Sequence, residues 1–172
     1  THFTQWVNIG PSGLTVYALA ASGTNVFAGT YNEGIYFSTD HGQTWEHSDL
    51  NNITIRSILV VGSVILASAE NGIYRSTDDG KTWIQTSLNN LSVNFLALEY
   101  PYLFAGTANG VYISSDNGQS WMQTSLTNLN VFSLAINNSN IFAGTERGVY
   151  RSTDNSLTWT RTTLDSIWIK SL

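Results

Sequence analysis

A chain of 172 residues is long enough for one domain with a buried core, or for a short array of repeats. Its net charge of −5 comes from only 7 basic and 12 acidic side chains, and the cations Arg56, Arg75, Lys81, Arg147, Arg151, Arg161 and Lys170 are scattered; phosphate neutralisation needs clustered Lys and Arg, so nucleic acid is excluded as a partner. With 0 cysteines the chain has no disulfides or thiolate metal sites, and no run approaches the roughly 18 apolar residues of a membrane helix, which excludes membrane insertion by a helix.

The first element in chain order is Gln5-Trp6-Val7, a short apolar strand predicted over 4–8. Four similar units follow. The first has the runs Val16–Ala20, Val26–Thr30 and Gly34–Tyr36, then the octapeptide Ser38-Thr-Asp-His-Gly-Gln-Thr-Trp45. In the second unit the strands are predicted at Ile55–Val61, Val64–Ala69, Gly72–Thr77 and Thr82–Ser87. Gly62-Ser63, Glu70-Asn71 and Asp78-Asp79-Gly80 lie between them and carry turn chemistry. The corresponding octapeptides are Ser76-Thr-Asp-Asp-Gly-Lys-Thr-Trp83, Ser114-Ser-Asp-Asn-Gly-Gln-Ser-Trp121 and Ser152-Thr-Asp-Asn-Ser-Leu-Thr-Trp159. Their first serines are each 38 residues apart. No unit has a 3.6-residue apolar period long enough for a helix, and four short strands per 38 residues is the size of a propeller blade. The first run of each unit is nearly continuous in apolar residues, as expected of strands covered on both faces.

These octapeptides resemble the Asp-box, or bacterial neuraminidase repeat, found in sialidases, some xyloglucan hydrolases, sortilin-type receptors and photosystem assembly factors. The resemblance spans essentially the whole chain. It implies an all-β fold, a β-propeller of four-stranded antiparallel blades, with the box at the turn between the third and fourth strands. The blades are expected at 16–48, 55–87, 93–125 and 131–163. In each box Ser and Asp (Ser38 and Asp40, Ser76 and Asp78, Ser114 and Asp116, Ser152 and Asp154) are expected to bond local backbone groups. Gly42, Gly80 and Gly118 supply a left-handed position, and Trp45, Trp83, Trp121 and Trp159 bury their rings between sheets. The fourth box departs from the pattern, with Ser156 in place of glycine.

The strand at 4–8 has the phase of a fourth strand, and 167–172 aligns with the first strand Val131-Phe-Ser-Leu134. Split strands of further, incomplete blades are therefore expected at the two termini. Three explanations stay open: an excerpt of a longer propeller, completion by another copy in an oligomer or filament, or a small ring with a degenerate fifth blade.

The sialidase mechanism implied by a shared repeat has no support in the residues. The family's first substrate arginine sits in an Arg-Ile-Pro motif, and both prolines, Pro11 and Pro101, lie in other contexts. A two-carboxylate glycosidase needs a carboxylate pair roughly 5–10 Å apart, whereas the box aspartates recur once per blade. The candidate ligand face is instead formed by the turns between second and third strands, with Tyr31, Glu33, Glu70, Glu146 and Arg147. In relatives that face also holds the loops between blades. Trp6, Trp168 and Ile169, beside the incomplete blades, are the candidate interface. No metal-ligand spacing or cofactor motif occurs. The expected function is a non-enzymatic, exported module, extracellular or at the cell surface, binding a protein partner or its own copies. The alternatives are a carbohydrate-binding or glycosidase-derived propeller fragment, with glycans as ligand, and an assembly factor for a membrane complex.

Overall fold

The computed structural model describes residues 10–138, 140–165 and 167–171, and within these it is all β, with no helix. Sixteen strands form four antiparallel meanders of four. The first sheet holds β1 (Val16–Ser22), β2 (Asn25–Thr30), β3 (Ile35–Ser38) and β4 (Glu46–His47), and the second holds β5 (Ile55–Val61), β6 (Val64–Ala69), β7 (Gly72–Ser76) and β8 (Ile84–Asn89). The third holds β9 (Val93–Glu99), β10 (Tyr102–Thr107), β11 (Gly110–Ser114) and β12 (Met122–Thr127). The fourth holds β13 (Val131–Asn137), β14 (Asn140–Thr145), β15 (Gly148–Ser152) and β16 (Thr160–Asp165).

The sheets stack in sequence order, with the first strand of each facing that of the next: β1 on β5, β5 on β9, and β9 on β13. Among the described residues no comparable packing joins the first sheet to the fourth. Three apolar cores result, one at each junction, and each is closed by a tryptophan of the later sheet. Trp83 lies with Phe27, Ile35 and Ile55, Trp121 with Leu66, Ile73 and Leu103, and Trp159 packs at the edge of Phe104, Val111 and Ile141. Sheets that share their faces in this way bury the continuous apolar runs that a solvated meander could not.

Burial is deepest on the second strands, not the first. All six residues of β6 are buried, while β1 alternates between half-buried and exposed. β5 lies between two sheets and has no exposed residue, whereas β1 has a packed neighbouring sheet on one face only among the described residues. The anchor residue of a first strand packs closely. The Cβ built on Gly29 would lie 2.6 Å from Ile55 Cγ2, and that on Gly106 would lie 2.9 Å from Val131 Cγ1. Glycine at these points lets the next blade's first side chain rest on the backbone.

The fourth strands start later than the sequence suggests. Thr82 and Trp83 belong to the turn, because Asp78 holds the Thr82 amide, and β8 begins only at Ile84. The predicted strand at 4–8 lies outside the described residues. Residues 167–171 form no ladder, unlike the inner strand expected at 167–172. Among the described residues no strand lies beside 167–171 for it to pair with, because the strands of each sheet pair only within that sheet. Ile169 nevertheless takes the anchor position: its amide donates to the Thr145 carbonyl at 3.0 Å, and Cγ2 lies 2.8 Å from a Cβ built on Gly144.

Candidate functional site

The octapeptide turns are closed hydrogen-bonded units. In the first, Ser38 Oγ accepts the Gly42 amide at 2.8 Å and donates to Asp40 Oδ1 at 2.7 Å. Asp40 in turn accepts the Thr44 amide at 2.9 Å and the Thr44 hydroxyl at 2.7 Å. The Trp45 indole donates to the Gly42 carbonyl at 3.0 Å. The same bonds recur around Asp78 and Asp116. Two successive residues are left-handed, for example Asp79 at φ 58° and Gly80 at φ 81°. The hydroxyl and amide of Thr44 hold the Asp40 carboxyl at about 2, well below the ordinary carboxylate value, and those of Thr82 hold Asp78 at about 2. Burial pushes Asp116 up, but the Ser120 hydroxyl and amide bring it below its ordinary value; Thr158 and Ser152 lower Asp154. Each of these carboxylates accepts side-chain and backbone hydrogen bonds on both of its oxygens from its own turn.

The fourth turn keeps the Ser152–Asp154–Thr158 bonds, and Ser156 takes the glycine's conformation at φ 68°. One bond is missing: the Trp159 indole N–H is buried without a partner. Trp83 and Trp121 are buried, whereas Trp45 and Trp159 are half-buried.

The turns between second and third strands carry the acidic residues picked from the sequence. Glu33, Glu70 and Arg147 are exposed, Glu146 is half-buried, and Tyr31 packs edge-on against Tyr17 at 5.8 Å. Among the described residues no group of three His, Asp or Glu side chains could hold a metal ion, so these carboxylates do not gather into such a cluster. Each turn is instead clamped from the outermost strand. His47 Nε2 donates to the Glu33 carbonyl at 2.6 Å, Gln85 Nε2 to Asn71 at 2.9 Å, and Gln123 Nε2 to Asn109 at 2.7 Å. Arg161 Nη2 donates to the Arg147 carbonyl at 2.7 Å.

Every first strand opens with a β-bulge, at Tyr17, Arg56, Asn94 and Phe132. The bulge interrupts the ladder and re-aims the extra side chain. One backbone device thus presents four different chemistries. Arg56 Nη1 donates to Ser92 Oγ and to Asn94 Oδ1 at 2.8 Å, while Asn94 Nδ2 donates to Asn130 Oδ1 and to the Val131 carbonyl at 2.9 and 2.8 Å. An open recess of about 330 Å³ lies beside Arg56 on the inner wall, lined by Tyr17, Leu19, Ser57 and Phe95 among others.

At the far end Phe132 stacks on Trp168 at 5.8 Å, and Lys170 Nζ lies 5.9 Å from the Trp168 ring. Trp168 remains 66% exposed. Ser133 Oγ is buried without a hydrogen-bond partner. At the matching place in the second blade, Ser57 Oγ accepts the Leu96 amide of the blade that follows. Trp6 lies outside the described residues.

An ancestral GH74 enzyme superposes with a TM-score of 0.76 at 24% identity, over 92% of this chain and 25% of that one. The extracellular domain of a putative hybrid two-component system from B. thetaiotaomicron gives 0.73 at 20% identity, over 91% and 24%. YCF48 bound to D1 peptide gives 0.67 at 16% identity, over 91% and 56%. The fold is that of a β-propeller. The chain spans about a quarter of the length of the first two proteins. No family model matches the sequence, and no curated protein matches it. None of the described segments is a helix long and apolar enough to cross a membrane.

Two features of the site escaped the sequence reading. The clamp residues His47, Gln85, Gln123 and Arg161 recur every 38 residues as long polar donors, a signal present in the repeat but unlike in residue type. The bulges leave no mark of their own, because the bulged position holds Tyr, Arg, Asn or Phe and no glycine.

Proposed function

We propose that the chain is a non-catalytic, exported binding module of the Asp-box propeller kind, whose fourth blade engages a further blade through its outward face. That blade is a further repeat, a second copy of the chain or a protein partner. The observation that carries this reading is the junction at Gly144 and Ser133. Ile169 occupies the anchor position, yet among the described residues no amide reaches the Ser133 hydroxyl as the Leu96 amide reaches its counterpart Ser57. A buried hydroxyl left unpaired costs about 1–3 kcal/mol, so a strand that supplies the amide is favoured there. Exposed Leu164, Ile167 and Trp168 add apolar area beside it.

Membership in the Asp-box family is supported by four turns that share the Ser–Asp–Thr or Ser–Asp–Ser hydrogen bonds, three of them with the indole bond as well. The non-catalytic reading is supported by the box aspartates, each committed to its own turn. Export is supported by the low lysine content with abundant Ser, Thr and Asn, and by a neighbour described as an extracellular domain. Protein binding has a parallel in the neighbour solved with a peptide.

Light scattering coupled to size exclusion, across a range of concentrations, tests the reading. Mass rising with concentration, and falling back to the monomer in Ile169→Asp, is expected. A species that stays monomeric at every concentration and captures no blade-bearing partner sinks it.

A further inference from the structure

We propose that the inner wall of the first three blades holds a carboxylate site, in which Arg56 binds the acid group of a ligand whose apolar body rests on Tyr17, Leu19 and Phe95. This site is separate from the fourth-blade face and does not depend on it.

The geometry of Arg56 carries the proposal. Arg56 as a residue is half-buried, and among the described residues only its Nη1 makes hydrogen bonds, to Ser92 and Asn94. Nε and Nη2 make no hydrogen bond with the described residues, and no carboxylate pairs with Arg56 among them. A guanidinium presents its donors as a rigid planar fork, and the Nε–Nη2 edge matches the two oxygens of one carboxylate. The other edge is fixed before any ligand arrives. Asn94 donates both to Asn130 and to the Val131 carbonyl, which turns its Oδ1 toward Arg56. The cation is thus held in place by the third blade while it borders a recess shared by the first three. Pre-ordered donors lose less freedom on binding than flexible ones.

The recess decides what the acid is attached to. Its volume is about 330 Å³, enough for a small ligand or a side chain with its neighbour. Leu19 is 69% exposed and Tyr17 53% exposed, and Tyr31 braces Tyr17 edge-on. An aliphatic and an aromatic surface left in solvent beside a single cation suit a monoanion with an apolar body. A dianion such as phosphate would meet one cation where it calls for several, in a chain of net charge −5.

Two matched pairs of probes test the site by calorimetry: 3-phenylpropionate against its amide, and acetyl-Phe-Asp-amide against acetyl-Phe-Asn-amide. In at least one pair the acid is expected to bind about tenfold or more tightly than the neutral analogue, as a charge-assisted fork implies. The pair that responds tells a free acid from an acidic side chain of a peptide. Arg56→Gln should erase that preference and Arg56→Lys should keep only part of it, each checked for an unchanged melting curve. Leu19→Gln, at an exposed position that leaves the Arg56 bonds intact, should weaken the acid about threefold or more. Equal binding of acid and amide, no binding of any probe at millimolar concentration, displacement of the acid by equimolar inorganic phosphate, or indifference to both Arg56→Gln and Leu19→Gln would each overturn the proposal. Because self-association is measured separately, neither result decides the other.

Discussion

Ser57 Oγ accepts the backbone amide of Leu96 at 3.3 Å, a side-chain bond that ties the inner strand of one blade to that of the next. Its repeat counterpart Ser133 is also buried and makes no hydrogen bond with the described residues. The pair contrasts a bonded with an unbonded hydroxyl at one position of the repeat. Ser57→Ala should destabilise the domain by about 1 kcal/mol, because it strips a buried amide of its acceptor. Ser133→Ala should be neutral or slightly stabilising in the monomer, since it removes an unpaired hydroxyl. Denaturant midpoints of the two variants at equal slope check the contrast.

The fourth box offers a repair. Ser156 adopts φ 68°, a conformation that costs a residue with a Cβ about 1–2 kcal/mol and glycine little. Ser156→Gly should raise stability by a few tenths to about 1 kcal/mol, after allowing for the freer unfolded chain. Gly118→Ser should do the reverse and by more, because a Cβ there would lie 2.7 Å from Leu66 Cδ2. Thermal melts of the two variants would read opposite signs, and a shared sign would contradict the account.

Acid should loosen the turns. Asp40 and Asp78 have folded pKa values near 2, against an ordinary 3.8, while Asp116 and Asp154 are lowered as well. A group depressed on folding stabilises the native state above its unfolded pKa. That contribution is lost as pH falls through the folded value, so the melting temperature should decline between about pH 4 and pH 2. Asp78→Asn should be less stable at pH 6 and show a shallower decline. A melting temperature flat from pH 6 to pH 2 would count against the hydrogen-bond scheme.

The blade count, the order of strands and the turn position of the boxes were legible because the sequence repeats itself in register. Glycine, Asp and Trp recur at fixed offsets, and each has a physical reason to be where it is. Burial was harder to read. Apolar content alone could not tell the inner strands, which keep an open edge, from the second strands, which do not. The Arg56 network was invisible for another reason: Arg56 and Asn94 lie on the first strands of successive sheets, Ser92 and Asn130 in the connections that lead into β9 and β13, and nothing local in the chain announces that they meet.

The outer clamps should govern the mobility of the turns they hold. Gln85→Ala removes the bond to the Asn71 carbonyl, and Gln123→Ala removes that to Asn109. Each should cost about 1 kcal/mol or less overall, since the turns are exposed. Amide hydrogen exchange at Asn71–Gly72 in the first variant and Asn109–Gly110 in the second should quicken, with the inner strands unaffected. Faster exchange throughout the sheet would instead mark general unfolding.

The recurring bulge separates what carries the backbone from what meets the outside. Because the kink is present with Tyr17, Arg56, Asn94 or Phe132 alike, its shape is set by the surrounding strands and not by the residue it displays. Such a scaffold behaves like a row of interchangeable sockets. One substitution per repeat can rewrite the chemistry of the inner wall, so new specificities lie a few mutations apart and demand no new architecture.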